Sequence, residues 1–273
     1  MRLGIASSLS NLSPHEWAEK LVSLGCKSVV FPVDSSAEDS LIDAYVKAAH
    51  EHDLLIAEVG VWRNAITENE TERKENIAYS VRQLQLADAI GARCCVNITG
   101  AVGGLRWDGG YAENYSQKAW DLSVSMIQEV IDKAAPKNTF FSIEPMPWMI
   151  PSSPEEYLRL VEDVHRDKFG VHLDIINMIN CPDRYFFADA FLEKTFELLG
   201  PHVKSCHLKD VQLLDEFTFQ LRECACGEGS FPIQHYLDYA SKIDPDMPMI
   251  IEHLKNDAAY ESSTIFVRDH YQF

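Results

Sequence analysis

Short runs of strand-forming residues alternate with amphipathic helical stretches along the chain, and this alternation constrains the fold more than any other feature. Hydrophobic, β-branched and aromatic residues are concentrated in eight such runs, which span 3–7, 28–31, 54–59, 93–98, 139–144, 169–174, 203–208 and 249–252. Strands that alternate with helices form a parallel sheet, and eight of them close into a barrel. We therefore predict an α/β fold, a single (β/α)8 TIM barrel.

The segments between these runs carry helix signals. Ser13-Pro14 and Ser153-Pro154 each place a capping hydroxyl before a proline at the first helical position. Segment 70–90 has apolar residues at helical spacing, and Gly91 follows it as a C-terminal cap would. The loop 99–113 is unusually long, and a long loop after a strand falls on the barrel face where chemistry normally occurs.

The length and composition of the chain fit one domain, which we expect to span residues 1–273. The chain is 46% hydrophobic, which is enough for one large core, and no linker or low-complexity stretch divides its 273 residues. Its 24 basic and 42 acidic residues give a formal charge of −18. This charge repels nucleic acids, and no basic arm or stripe counteracts it. We therefore expect no nucleic-acid partner.

The sequence also argues against secretion and membrane attachment. Its first residues lack the apolar core of a signal sequence, and no later run reaches the roughly 20 apolar residues that span a bilayer. We expect a cytoplasmic protein. The seven cysteines form no disulfide framework and are expected to be buried free thiols. Cys224 and Cys226 are a weak metal-binding candidate, because a structural zinc site needs a second pair.

Acidic and imidazole side chains interrupt four successive hydrophobic runs at their C-terminal ends. These residues are Glu144, Asp174, His207 and Glu252. In a closed barrel these strand ends converge on one axis, and three crowded carboxylates repel one another unless a cation neutralises them. Each residue taken singly fits a capping or ion-pairing role equally well. The four together predict a site for one divalent metal ion per chain.

The ligand set indicates which metals are suitable. Carboxylate oxygens with one imidazole, and room for water or substrate, suit Mn²⁺, Mg²⁺, Co²⁺ or Zn²⁺. Such an oxygen-rich set differs from that of a structural zinc site. We favour Mn²⁺.

Around these residues the sequence resembles the xylose-isomerase-like TIM barrels, which include sugar and sugar-phosphate isomerases and epimerases, inosose isomerases and dehydratases, and endonuclease IV. The resemblance covers nearly the whole chain. The matching pieces are Ser142-Ile143-Glu144-Pro145, His172-Leu173-Asp174, Cys206-His207-Leu208-Lys209-Asp210, Gly227-Glu228-Gly229 and Ile250-Ile251-Glu252-His253. The resemblance implies one catalytic metal bound by Glu144, Asp174, His207 and Glu252.

The ketose 3-epimerases of this family imply a mechanism. In it the metal holds a carbonyl and an adjacent hydroxyl oxygen, and two strand-end glutamates move the proton of the carbon between them. Glu144 and Glu252 would take these roles, and their alternative role is that of metal ligands only. This chain departs from the epimerases at three positions, because Asn177, Leu213 and Ile150 replace a histidine, an arginine and an acid that assist that reaction.

Two further residues are catalytic candidates because strand alternation places them on the same side as a ligand. His172 precedes Asp174 by two positions and could hydrogen-bond a substrate hydroxyl. Lys209 follows His207 by two positions and could polarise or protonate a substrate oxygen. The alternative for His172 is a packed position in the core, and the alternative for Lys209 is an ion pair with Asp210.

Other polar and aromatic residues near the predicted strand ends are candidates for substrate binding. Aromatic rings at the mouth of a barrel can stack on the apolar face of a sugar or on an aromatic aglycone, and polar groups can bind hydroxyls. Packing in the core or a loop is the equal alternative for the tryptophans. The candidates are Trp62, Trp107, Trp148, Glu58, Asn97 and Asn177.

These features predict an isomerase or epimerase of a sugar, keto-polyol or related carbohydrate. The alternative is a metal-dependent lyase, either an inosose-type dehydratase or an enzyme that eliminates a group from a keto-glycoside. Endonuclease activity is disfavoured by the acidic charge and by Asn177. A non-catalytic sugar-binding subunit is the remaining hypothesis. The expected partner is a small carbohydrate, and a homo-oligomer is compatible with the family.

Overall fold

The computed structural model describes residues 1–7, 9 and 11–272, and its centre is an eight-stranded parallel barrel. The strands in spatial order are β1 (Arg2–Ile5), β10 (Pro248–Ile251), β7 (Val203–Leu208), β6 (Phe169–Leu173), β5 (Phe140–Ile143), β4 (Cys94–Asn97), β3 (Leu55–Gly60) and β2 (Ser28–Val30). Each predicted run overlaps one of these strands, with ends that agree within two residues. The predicted (β/α)8 architecture is confirmed.

The barrel closes between β1 and β2. The Lys27 amide donates to the Leu3 carbonyl at 2.7 Å, and the Ser28 hydroxyl donates to the Arg2 carbonyl at 2.8 Å. Gly4 permits this approach, because a Cβ at this position would lie 2.5 Å from the Ser28 carbonyl oxygen. The strands therefore surround one axis, and their C-terminal ends form one face.

Helices surround the barrel. They are α1 (Pro14–Ser23), α2 (Asp39–Glu51), α3 (Glu70–Ala89), α4 (Gln117–Ala134), α5 (Pro154–Val164), α6 (Ile175–Met178), α7 (Pro182–Phe186), α8 (Ala188–Leu199), α9 (Ile233–Ile243) and α10 (Asp257–His270), with short 3-10 turns at Ala112–Tyr115 and Gly200–His202. Ser13 and Ser153 cap α1 and α5 through their side chains, as predicted. Gly91 follows α3 with φ of 71°, a left-handed conformation that favours glycine.

Large apolar side chains fill the space between the helices and the barrel wall. Trp17, Tyr157, Phe141, Leu84 and Tyr236 are each at most 2% exposed. Burial of this kind is the main stabilising contribution of such a core. It fixes the strand ends relative to one another, which a site assembled from several strands requires.

A two-stranded antiparallel hairpin follows β7 and was not predicted. It consists of β8 (Asp210–Leu213) and β9 (Leu221–Cys224). The Asp210 carboxylate anchors it by accepting the backbone amides of Val211, Gly227, Gly229 and Phe231 at 2.7–3.0 Å. Asp210 is therefore a backbone anchor, and the alternative in which it pairs with Lys209 is wrong.

The cysteines are free thiols in the described structure. Cys26, Cys94, Cys95, Cys206 and Cys226 are buried, whereas Cys181 and Cys224 are partly exposed. Burial raises the pKa of Cys224 to about 11 and that of Cys226 to about 12, so both thiols are protonated near neutral pH. Neither joins a group of shared metal ligands among the described residues.

Among the described residues, no helix combines the length and the apolar character that crossing a bilayer demands.

Candidate metal centre

Four side chains converge at the C-terminal face of the barrel. Glu144 directly follows β5, Asp174 follows β6, His207 lies in β7 and Glu252 follows β10. Each offers a ligand atom, and these atoms all lie within 4.8 Å of one another. The four residues are at most 6% exposed. The structure therefore brings together the four residues that the sequence singled out.

His207 lies at the middle of this group. Its Nδ1 is 2.9 Å from Glu252 Oε1, 3.5 Å from Glu144 Oε1 and 3.8 Å from Asp174 Oδ2. An imidazole nitrogen and carboxylate oxygens at such distances need a shared proton or a cation between them.

The residues present fit a divalent cation. His207 Nδ1 and Asp174 Oδ2 are buried atoms without a hydrogen-bond partner among the described residues, and buried polar atoms normally have one. The Lys209 ammonium lies 2.6 Å from Asp174 Oδ2 as an ion pair. With His207 neutral, as a metal ligand must be, one ammonium beside three carboxylates leaves two negative charges, which one divalent ion would neutralise.

The pKa values of three of these residues are shifted by burial and by their charged neighbours. Burial and the neighbouring Glu252 raise the pKa of Glu144. Burial alone would raise the pKa of Asp174, but Lys209 and His207 outweigh it and hold that pKa well below its ordinary value. Burial would lower the pKa of His207, yet Glu252 and Glu144 raise it well above its ordinary value. The centre therefore attracts cations.

Glu58 lies beneath His207, inside the barrel. Its Oε2 is 3.5 Å from His207 Nε2, and its Oε1 accepts from His172 Nε2 at 3.0 Å and from the Ser205 hydroxyl. Burial would raise the pKa of Glu58, but His172 and His207 outweigh it and lower the pKa. A carboxylate that faces Nε2 leaves Nδ1 of His207 free to bind a metal.

This arrangement bears on two of the predicted roles. Glu58 is 1% exposed and His172 is 0% exposed. Glu58 lies within β3 and points into the barrel interior, below the open face. The His172 ring packs edge-on against His207, with 4.1 Å between ring centroids. These contacts favour a supporting role of both residues towards His207, and hydroxyl recognition by Glu58 and by His172 stays a prediction.

Lys209 is a second charged element of the centre. Its ammonium lies 2.7 Å from Glu252 Oε1 and 2.8 Å from Glu223 Oε2, in addition to Asp174. Burial would lower its pKa, but Asp174, Glu252 and Glu223 raise it well above the ordinary value. The ammonium form of Lys209 is thus favoured, and it holds the two candidate ligand carboxylates Asp174 and Glu252 in place.

Glu223 and His253 belong to this network and were missed by the sequence reasoning. Glu223 lies on β9 and is 3.0 Å from His253 Nδ1, which is also 3.4 Å from the Lys209 ammonium. His253 has φ of 57°, a strained conformation for a residue with a side chain. Its position directly after Glu252 in a matching sequence motif was the available signal, whereas nothing in the sequence places Glu223 there.

The predicted asparagines have different environments. Asn177 Nδ2 donates to Glu144 Oε1 at 2.9 Å, so Asn177 contacts a ligand candidate directly. Asn97 is fully buried and bonds both backbone groups of Arg63. The Asn97 side chain therefore fixes the loop after β3, and hydroxyl recognition by Asn97 stays a prediction.

Two cavities open beside the centre. The glutamate cavity, of about 530 Å³, is lined by Trp62, Trp107, Glu144, Met146, Glu252 and His253, among others. The apolar cavity, of about 520 Å³, adjoins it and is lined by Trp148, Asn177, Ile179, Phe219, Glu223 and His253, among others. Trp62, Trp107 and Trp148 are each about 40% exposed. They lie on cavity walls, where their rings are available to a ligand.

Solved structures share this fold. A D-tagatose 3-epimerase-like protein matches with a TM-score of 0.74 at 18% identity, covering 98% of this chain and 96% of that chain. The 3-keto-D-glucoside 4-epimerase of E. coli, in its apo form, matches with a TM-score of 0.69 at 14% identity, covering 98% and 99%. A xylose isomerase-like TIM barrel protein from Mycobacterium smegmatis, in complex with magnesium, matches with a TM-score of 0.69 at 15% identity, covering 97% and 89%.

Identities this low establish the fold only. No curated protein matches this sequence at a significant level. The family model described as xylose isomerase-like TIM barrel, however, matches residues 18–270, which is nearly the whole chain. The chain therefore belongs to the xylose isomerase-like TIM barrel family.

Proposed function

We propose that this protein is a divalent-metal-dependent isomerase or epimerase of a sugar, keto-polyol or related carbohydrate. The observation that carries the proposal is the buried group formed by Glu144, Asp174, His207 and Glu252, next to an open cavity. The structural neighbours include proteins named as epimerases of sugars, which supports carbohydrate chemistry. Mn²⁺ is the ion we propose, with Mg²⁺ as the closest alternative.

The four ligand candidates would hold the ion at the open face of the barrel. When bound, a divalent ion supplies positive charge that stabilises negative charge on substrate oxygens while a neighbouring C–H bond loses its proton. Glu144 and Glu252 both line the glutamate cavity. We assign them the transfer of that proton, which carboxylates within reach of a carbon acid perform.

The surrounding residues position these two glutamates. Lys209 holds Glu252, and Asn177 donates a hydrogen bond to Glu144. Lys209 is only 2% exposed and its ammonium is surrounded by carboxylates. We therefore assign it first a positioning role, with hydrogen bonding to a substrate oxygen as a second role after the cavity is filled.

A lyase is the second candidate function. The observation that favours it is the contact of Asn177 with Glu144 at the position where the ketose 3-epimerases have a histidine. Lys209 beside Glu252 also provides a buried positive charge that would stabilise negative charge on a departing oxygen. Both reactions begin with removal of the same kind of proton, so the product distinguishes them.

The test is deuterium exchange from solvent into a panel of ketoses, keto-inositols and 3-keto-glycosides by the Mn²⁺-loaded protein. We expect one carbon-bound deuterium in the substrate or its epimer, whereas a new enone absorption would identify the lyase. Glu144→Gln removes a charge and a base from the cavity, so exchange should fall by about 10²- to 10⁴-fold. Glu113→Gln changes an exposed residue and is the matched control. Retained exchange in Glu144→Gln would contradict the proposal.

A further inference from the structure

The glutamate cavity does not account for all the space beside the centre. The apolar cavity shares Met146 and His253 with it, so the two cavities have a common wall. Their volumes are about 530 and 520 Å³, and a single cavity of roughly 300–1,000 Å³ already holds a drug-sized ligand. A monosaccharide at the metal centre therefore leaves the second cavity free.

The chemistry of the apolar cavity differs from that of a sugar site. Most of its wall consists of hydrophobic side chains, among them Met146, Trp148, Ile176, Ile179, Phe219 and Leu221. A sugar hydroxyl placed against such a wall would lose its hydrogen bonds to water without replacement. An apolar group would instead gain from leaving water, and an aromatic ring could pack against Trp148 and Phe219.

The polar end of the apolar cavity faces the candidate metal centre. Asn177 and Glu223 line this end. Asn177 donates to Glu144 Oε1 at 2.9 Å, and Glu223 Oε2 lies 2.8 Å from the Lys209 ammonium. A ligand whose polar part reaches the metal ligands would therefore place its remote end among the hydrophobic side chains.

We propose that the substrate carries an apolar, ring-sized group joined to its sugar, and that the apolar cavity binds this group. The substrate class is thus a glycoside with an aromatic or similarly hydrophobic aglycone. Phe219 and Leu221 come from the segment at and before β9, so the hairpin supplies one wall of the subsite. This inference rests on the proposed carbohydrate function and specifies the substrate of the same site.

The test compares two probes on the Mn²⁺-loaded protein, methyl 3-keto-β-D-glucoside and 4-nitrophenyl 3-keto-β-D-glucoside. We expect the KM for deuterium exchange to be about 10- to 100-fold lower for the nitrophenyl probe, because its ring is removed from water, whereas kcat also depends on the leaving group. Calorimetric binding of the corresponding unoxidised glucosides, which does not depend on turnover, should show the same preference.

Two phenylalanine variants test whether the preference for the nitrophenyl probe arises in the apolar cavity. Phe219→Ala should reduce the preference for the nitrophenyl probe to less than one third of its original value. Phe217→Ala should leave it unchanged, because Phe217 is fully exposed and lies on the same hairpin connection. Equal KM and equal binding for both probes would overturn the subsite while leaving the proposed function intact. Absence of exchange with either probe, together with tighter binding of the nitrophenyl glucoside, would overturn the chemistry and retain the subsite.

Discussion

Glu58 illustrates what a single residue contributes at this centre. It accepts hydrogen bonds from His172 and Ser205 and faces Nε2 of His207. Its carboxylate therefore favours the tautomer of His207 that carries the proton on Nε2, with the lone pair of Nδ1 directed at the other ligand candidates.

This role predicts the effect of Glu58→Gln. Because the amide neither carries the charge nor accepts from His207 as strongly, Mn²⁺ affinity should fall by about 10- to 100-fold. Isothermal titration with the metal-depleted protein measures this change, and circular dichroism checks that the fold is retained. Ser205→Ala removes one hydrogen bond to Glu58 and should have a smaller effect in the same direction. Wild-type affinity in a folded Glu58→Gln protein would exclude the role.

The sequence identified the four residues that meet, because each interrupts a hydrophobic run at its C-terminal end. The sequence alone did not distinguish these four residues from Glu58, which also lies near the end of a predicted strand. The difference is one of depth, since Glu58 lies two residues before the end of β3, whereas Glu144, Asp174 and Glu252 directly follow their strands. Lys209 was recognised as important, but its partners lie on other strands and depend on barrel geometry.

At the scale of elements, local signals predicted the barrel strands and several helices well. Capping serines, prolines at the first helical turn and hydrophobic periodicity depend on neighbouring residues and are visible in the sequence. The hairpin of β8 and β9 lacks such a signal, because its second strand is largely exposed and carries charged residues. The sequence therefore gave no indication of the contact between Glu223 and Lys209.

Asp88 connects two elements through its side chain. It lies in α3, and its carboxylate accepts the backbone amides of Lys137, Asn138 and Thr139 at 2.6–3.0 Å. These residues form the approach to β5, the strand that precedes Glu144. Burial would raise the pKa of Asp88, but the three amides outweigh it and lower the pKa.

We expect Asp88→Asn to reduce the free energy of unfolding by about 1 kcal/mol at pH 7, because hydrogen bonds to a charged acceptor become bonds to a neutral one. A carboxyl with a lowered folded-state pKa stabilises the fold above its unfolded-state pKa of about 3.9, and this contribution is lost as the pH falls through the folded-state value. Urea unfolding should therefore show a smaller difference in the free energy of unfolding between the wild type and Asp88→Asn at pH 3.5 than at pH 7. Asp43→Asn, an exposed change of the same charge, is the control.

At the scale of the whole molecule, closure of the barrel creates the site. Strand ends that are far apart in the sequence reach one face only when β1 and β2 meet and complete the cylinder. The residue pattern predicted eight parallel strands in a barrel with converging ends, and the family resemblance implied that the four residues bind one catalytic metal. The position and the apolar character of the second cavity depend on packing between the hairpin and the loops, which sequence patterns do not specify.

One measurement tests the binding of a metal by Glu144, Asp174, His207 and Glu252 directly. Crystals of the metal-depleted protein are loaded with Mn²⁺, and anomalous diffraction at the manganese edge locates the ion. We predict one peak per chain, bonded to all four side chains at about 2.0–2.3 Å. No peak among these residues, or a peak at Cys224 and Cys226 instead, would contradict the proposed centre.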